Sequence, residues 1–368
     1  MAQIKIINVV GARPNFMKIA PLMKEYLRYP EISPILVHTG QHYDYQMSES
    51  FFKSLGIKNP DYNLEVGSGT HAQQFGKIIE RLEPILLKEK PNLVLVVGDV
   101  NSTAACAITA KKMNIPVAHI ESGLRSFDQE MPEEINRIIT DHISDLLFVS
   151  EKSGIKNLKK EGISSKKTYF VGNVMIDTLI NSLPQIEKSE ILKKNNLENK
   201  RIVLTTIHRP SNVDSKEKLE KILEILNKIE KNSIIVFPMH PRTKKNIELF
   251  DLMEKFKSLK NLLILDPIEY LDLIKILKNS WLVITDSGGI QEEAAFLKIP
   301  TITIRKNTER PATITCGANI ITGLNTKKIA SQIKKISSKK YPKIKNIPLY
   351  DGKAAKRIVS IITKKYNA

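Results

Sequence analysis

Two cations, Arg13 and Lys18, stand five residues apart just after the first apolar run, in the stretch GARPNFMKIAPL. Gly11 allows a tight turn ahead of them, and Pro14 suits the first turn of a helix. A helix start carries unpaired backbone N–H groups and partial positive charge. Two further cations at such a place suit a discrete anion. GxGxxG is absent there, so a dinucleotide is not indicated. Carboxylates hold the corresponding places further along. Asp99 follows LVLVVG, Glu121 follows PVAHI, and MPEEINR opens a helix with Pro132, Glu133 and Glu134. Asp99 also suits a helix cap, and the two glutamates suit a first turn. Three carboxylates at strand or helix ends in one half can nevertheless take acid and base roles, once their surroundings push their pKa values apart.

The second half repeats the arrangement with different residues. LTTIHRPSNVD puts His208 and Arg209 at the end of an apolar run. In WLVITDSGGIQEEAAF the run ends at Asp286, and Ser287, Gly288 and Gly289 lead straight into a helix. Bare amides at a helix start, with glycines that let an anion come close, make a phosphate cradle. Glu292 and Glu293 in the next turn would repel a phosphate and suit a neighbouring hydroxyl pair, as on a ribose. RKNTERPA adds Glu309 and Arg310 in a loop. HExxH, a Cys/His ligand set and GxSxG are all missing, which leaves metal hydrolysis and serine chemistry without support.

Positioning these groups falls to an alternation of strand and helix. IKIINVV, ISPILVHTG, NLVLVVGD, IPVAHIESG and DLLFVS are near-continuous apolar runs, which favours a parallel sheet covered on both faces. Amphipathic stretches such as HAQQFGKIIERLEPILLKEK separate them. The pattern restarts near Arg201 with RIVLTTIH, SIIVFPMH, NLLILD, WLVITDS and IPTITIR. The expected architecture is α/β, with two Rossmann-like domains facing a central cleft. Residues 1–172 are expected to form the first domain and 173–350 the second, which carries the phosphate cradle, while a helix over 351–368 packs back on the first. Ligands of such sheets bind beyond the carboxyl ends of the strands, where the residues above lie.

The chain has 368 residues and a net charge of +18. Its lysines are spread over helix surfaces without aromatic interleaving, and aromatics are only 6% of residues, so nucleic acid is not the expected partner. A positive field suits a phosphate-bearing substrate. No apolar run approaches the roughly 18 residues of a membrane span. Cys106 and Cys316 have no metal-ligand spacing, in keeping with a reduced, cytoplasmic compartment.

Taken in order, GARPNFMKIAPL, TGQH, GDVNST, HIESGLRSFDQEMPEEINR, VGNVMID, HRP, TDSGGIQEEA and TERPA resemble the non-hydrolysing UDP-N-acetylglucosamine 2-epimerases over nearly the whole length. The resemblance implies a GT-B-type fold and an isomerase that feeds surface polysaccharide synthesis. It inverts carbon 2 of the sugar by eliminating UDP, passing through a 2-acetamidoglucal, and adding UDP back. It also implies no cofactor, no metal, no membrane or nucleic-acid partner, and a homodimer. By the same resemblance Asp99, Glu121 and Glu133 transfer protons and His208 assists the leaving phosphate. Ser287, Gly288 and Gly289 hold the diphosphate, Glu293 the ribose, and Arg13, Lys18 and Arg310 are basic positions of the cleft. Gln41 and His42 match part of an allosteric site. Departures are Pro210 and Ser211, where many members read His-Arg-Arg-Glu, and GARPNFMK for the commoner GTRPEAIK. The alternatives are a 2-epimerase of UDP-2,3-diacetamido-2,3-dideoxy-glucuronate, a hydrolysing epimerase, a GT-B glycosyltransferase, or a UDP-sugar-binding regulator.

Overall fold

Unalternating Val, Ile and Leu are stable in a strand only when both of its faces are covered, and the chain builds two sheets on that rule. The computed structural model describes residues 3–40, 52, 56–229, 233–338 and 341–367. It divides into two compact units, Met1–Asn181 with Pro348–Ala368, and Ser182–Ile347.

The first unit carries β1 (Ile4–Val10), β2 (Ile32–His38), β3 (Tyr62–Asn63), β4 (Leu93–Val97), β5 (Val117–Ser122), β6 (Leu146–Val149) and β7 (Thr168–Phe170). They form one parallel sheet in the order β3-β2-β1-β4-β5-β6-β7. Every residue of β4 and β5 is buried. On one face Ile78, Leu82 and Leu86, four residues apart on helix His71–Glu89, pack with Ala105–Ala107 and Ala110 of helix Asn101–Lys112 over Ile7, Val9, Val94 and Val96. Burying each large apolar side chain contributes about 1.5–3 kcal/mol. The strand order reverses between β1 and β4, and that switch point is where such sheets open a crevice.

The second unit repeats the plan with β8 (Ile202–Thr206), β9 (Ile234–Pro238), β10 (Leu262–Leu265), β11 (Ser280–Thr285), β12 (Thr301–Thr303) and β13 (Asn319–Ile321), in the order β10-β9-β8-β11-β12-β13. All its pairs are parallel, and its switch point lies between β8 and β11. Helix Lys216–Ile229 lays Leu219, Ile222, Ile225, Leu226 and Ile229 on the sheet's Val203, Ile235, Phe237, Leu282 and Ile284. The expected pair of doubly wound α/β units is what the chain forms.

The units divide later than residue 172. Helix Val174–Glu187 begins in the first unit, where Asp177 accepts hydrogen bonds from Ala354 N (3.1 Å) and Ala355 N (2.8 Å). Asp177 thereby caps the last helix, Ala354–Tyr366, which also packs on helix Arg13–Tyr26. Pro21 lies inside helix Arg13–Tyr26 and has no N–H for the Met17 carbonyl. Thr178 Oγ1 donates to that carbonyl instead, at 2.5 Å. These bonds keep residues through Asn181 with the first unit, and Pro348, not residue 351, begins the returning segment. No helix among the described residues is long and apolar enough to cross a membrane.

Candidate active site

At the first switch point the loops leaving β1, β4 and β5 are tied together by side chains. A β-carbon on Gly11 would lie 2.2 Å from Ser102 Oγ, so only glycine lets the first turn of helix Asn101–Lys112 come this near. Asn15 Oδ1 accepts from Gly11 N (3.1 Å) and Ala12 N (3.0 Å), while Asn15 Nδ2 donates to the Val97 carbonyl (3.1 Å). Lys18, one turn on, is buried with its ammonium on the Glu121 carboxylate. Glu121 is itself only 5% exposed and has φ +74°.

Asp99 leaves β4 beside them. Its Oδ2 accepts from Arg137 Nε (3.0 Å) and Nη2 (2.7 Å), and Arg137 Nη1 is ion-paired with Glu134. Glu134 Oε2 accepts from Ser126 N (2.9 Å) and Ser126 Oγ (3.0 Å), and its Oε1 from Phe127 N (2.8 Å). Asn136 Nδ2 donates to the Asp99 carbonyl at 2.9 Å. One guanidinium thus fixes both Asp99 and the loop that runs from Glu121 to helix Pro132–Ile143. Glu133, half-buried, opens that helix next to Glu134. The group can exchange protons with a carbon acid from side chains whose positions are set by partners.

The second switch point brings the loop after β8 against the exit of β11. Asp286, fully buried, accepts from His208 N (3.1 Å), Arg209 N (2.9 Å) and Asn212 Nδ2 (3.0 Å), and its Oδ1 lies 3.2 Å from His208 Nδ1. Burial pulls the His208 pKa down; Asp286 opposes this, and Arg209 and Arg305 add to it. The His208 ring lies 5.5 Å from that of His240. Ser287 N–H donates to Thr285 Oγ1 (2.9 Å), and helix Gly288–Phe296 begins at once, with the amides of its first turn lacking intrahelical partners. A β-carbon on Gly289 would meet nothing within 4 Å, so space lies open in front of that turn. On Gly288 it would lie 2.5 Å from Glu309 Oε1. Glu309 is in turn gripped by Arg305, Nη2 to Oε2 at 2.7 Å.

The Tyr270 hydroxyl donates to the buried Glu293 carboxyl, and Gln291 Nε2 is buried without a hydrogen-bond partner among the described groups. Burial pushes the Glu293 carboxyl up to about 8, opposed by Tyr270 and reinforced by Glu292. Burial and the nearby Glu293 raise the Tyr270 hydroxyl as well. Arg310 Nε lies 3.4 Å from Glu292 Oε2. Among the described residues no three His, Cys, Asp or Glu come together in a way that could hold a metal ion.

The family model for UDP-N-acetylglucosamine 2-epimerase matches residues 24–363. The chain belongs to this family. A relative from Methanococcus maripaludis, described as a UDP-N-acetylglucosamine 2-epimerase homolog, is 48% identical over 362 residues, 97% of this chain and 99% of its own. The crystal structure of Methanocaldococcus jannaschii UDP-GlcNAc 2-epimerase in complex with UDP-GlcNAc and UDP has a TM-score of 0.91 at 43% identity, covering 98% of this chain and 100% of that one. The UDP-2,3-diacetamido-2,3-dideoxy-D-glucuronate 2-epimerase of Pseudomonas aeruginosa is 44% identical over 322 residues, 87% of this chain and 88% of its own.

In this epimerase-family chain, Lys18, Asp99 and Glu121 lie together at the first switch point with Glu133 on the adjoining helix, and His208, Ser287, Gly288, Gly289, Glu293 and Arg310 lie at the second. Arg13 begins its helix. Gln41 and His42 fall outside the described residues. Sequence reading singled out Glu133, whereas the neighbouring Glu134 makes the buried bonds. It passed over Arg137 and Asn15, and noted Asp286 only as a strand end. A Glu–Arg pair at i and i+3 was the available signal for Arg137.

Proposed function

We propose that this chain interconverts UDP-N-acetylglucosamine and UDP-N-acetylmannosamine by inversion at carbon 2. A carboxylate takes the carbon 2 proton as the bond to UDP breaks. The products are 2-acetamidoglucal and UDP. UDP adds back after carbon 2 is protonated on its other face. Asp99, Glu121 and Glu133 serve proton transfer. The amides at Ser287, Gly288 and Gly289 receive the diphosphate, with Arg310 and Arg13 as further cations. Glu293 receives the ribose hydroxyls. Diphosphate negative charge favours protonation of His208, which then donates to the leaving oxygen. Lys18 takes a second role here, because its buried charge sits on Glu121.

The observation that carries this reading is the pair Glu121 on Lys18 and Asp99 on Arg137, two carboxylates fixed at the exits of neighbouring strands. Proton NMR of the protein with UDP-N-acetylglucosamine in deuterated water tests it. The expected result is UDP-N-acetylmannosamine carrying deuterium at carbon 2. Free N-acetylmannosamine with UDP would assign the chain to the hydrolysing reaction instead.

A second reading, action on UDP-2,3-diacetamido-2,3-dideoxy-glucuronate, is favoured by the 44% identity to the P. aeruginosa relative. The same experiment with that sugar separates the two: the true substrate exchanges and epimerises, and the other gives an unchanged spectrum.

A further inference from the structure

Glu121 sits where β5 and β6 fall out of register, between Ile120 and Ser122, and its φ is +74°. That left-handed conformation is unfavourable for a residue with a β-carbon, so its surroundings must hold it. Asp141 on helix Pro132–Ile143 does so from both sides. Its Oδ1 lies 2.7 Å from Nδ1 of His119, two residues before the kink. Its Oδ2 accepts from Gly123 N at 3.0 Å, two residues after it, and from Arg125 Nη1 at 2.7 Å. The second ring nitrogen of His119, Nε2, donates to the Gly98 carbonyl at 2.8 Å, next to Asp99. Arg125 is locked in turn on Glu161, through Nε at 2.8 Å and Nη2 at 2.6 Å. His119 and Asp141 are buried. Burial alone would raise the Asp141 carboxyl, but His119 and Arg125 outweigh it and hold it below its ordinary range.

One carboxylate therefore bridges the kink, and one imidazole joins the bridge to the neighbouring strand exit. We infer that Asp141, acting through His119 and Gly123, is a positioning residue that keeps Glu121 kinked and at a fixed spacing from Asp99. The inference rests on the epimerase reading for its catalytic consequence, while the kink itself can be tested without activity.

Asp141→Asn puts an amide N–H₂ among donors and removes the charge facing His119 and Arg125. The expected loss in kcat is about 100-fold, the size of effect that a small misplacement of a reacting group produces. KM for the sugar nucleotide and calorimetric affinity for UDP should stay within about two-fold, since an interaction realised only in the transition state is lost. In a double-mutant cycle with Glu121→Gln, adding Asp141→Asn should cost less than about three-fold, because the two act as a unit. A crystal structure of Asp141→Asn should show Glu121 out of the left-handed region and off Lys18. If Asp141→Asn fails to fold, His119→Gln enters the same cycle. Full multiplicative losses in the cycle, or an unchanged Glu121 conformation in the variant, would overturn the inference. Should the unaltered protein epimerise neither sugar, the activity reading fails, and the crystal comparison still decides whether Asp141 holds the kink.

Discussion

Replacing Glu293 by glutamine should make the ligand-free protein more stable as pH rises. Glu293 is 2% exposed and its carboxyl is held up to about 8, against an ordinary value of 4.5, by burial first, with Glu292 adding and Tyr270 opposing. The sign follows from proton counting. Below about pH 4.5 both folded and unfolded chains carry the proton, and the group leaves stability unchanged. Between about 4.5 and 8 the unfolded chain gives it up while the folded chain keeps it, so stability is lost as pH rises. Above about 8 both are ionised and the loss is complete. At about 1.4 kcal/mol per pKa step, the ceiling on that loss is about 5 kcal/mol. Glutamine matches the neutral acid in size and does not titrate. Each kcal/mol moves the melting temperature of a domain of this size by about 2–4 °C. Calorimetric scans of both proteins from pH 5 to pH 9 should show melting points close together at pH 5. The gap in favour of Glu293→Gln should then widen by several degrees, at most about 20 °C, by pH 8. A gap that stays constant or narrows over this range would mean that Glu293 is already ionised in the fold, and the reasoning would fail. With UDP added, the order should reverse if Glu293 holds the ribose, since ligand stabilisation scales with affinity.

Four more perturbations bear on the two switch points. Gly288→Ala puts a methyl 2.5 Å from Glu309 Oε1, which Arg305 holds, so it should lower both melting temperature and UDP affinity. Gly289→Ala meets nothing in the protein, so calorimetry should show an unchanged melting point and UDP titration at least about a ten-fold weaker complex. Lys18→Met leaves the buried Glu121 carboxylate without its ammonium; breaking such a pair costs about 3–5 kcal/mol, and denaturant titration measures it. A parallel fall in UDP affinity would instead make Lys18 a diphosphate ligand. Arg137→Lys cannot serve Asp99 by two N–H groups and Glu134 by a third, so kcat should fall by about ten-fold or more with KM nearly unchanged.

The strand exits were legible in the sequence because apolar runs end abruptly in Gly11, Asp99, Glu121, His208 and Asp286, and both sheets follow from the alternation around those runs. Partners across the sheet were not. Asp286 looks like a strand end until β8 and β11 lie side by side, when its carboxylate meets the His208 and Arg209 amides. Lys18 invites an anion from outside, yet the anion it meets is Glu121, supplied by β5. Glu133 and Glu134 are adjacent in sequence and differ by one step of about 100° around the helix. Periodicity gives the step but not the origin, and the origin is set by Ser126 and Phe127 presenting their N–H groups to Glu134.

The same limit explains why the kink at Glu121 was invisible. No glycine marks it, and the run VAHIES reads as an ordinary strand end. A residue that must bear a carboxylate cannot be glycine, so the left-handed conformation has to be imposed by partners rather than permitted by residue type. Those partners, His119, Gly123 and Asp141, are each unremarkable alone: a buried histidine, a glycine after a strand, an aspartate near a helix end. Only the topology that sets helix Pro132–Ile143 against β5 brings them to one point. Strain at a residue such as Glu121 thus leaves no local signature, and it becomes readable where a buried charge makes bonds on both sides of it.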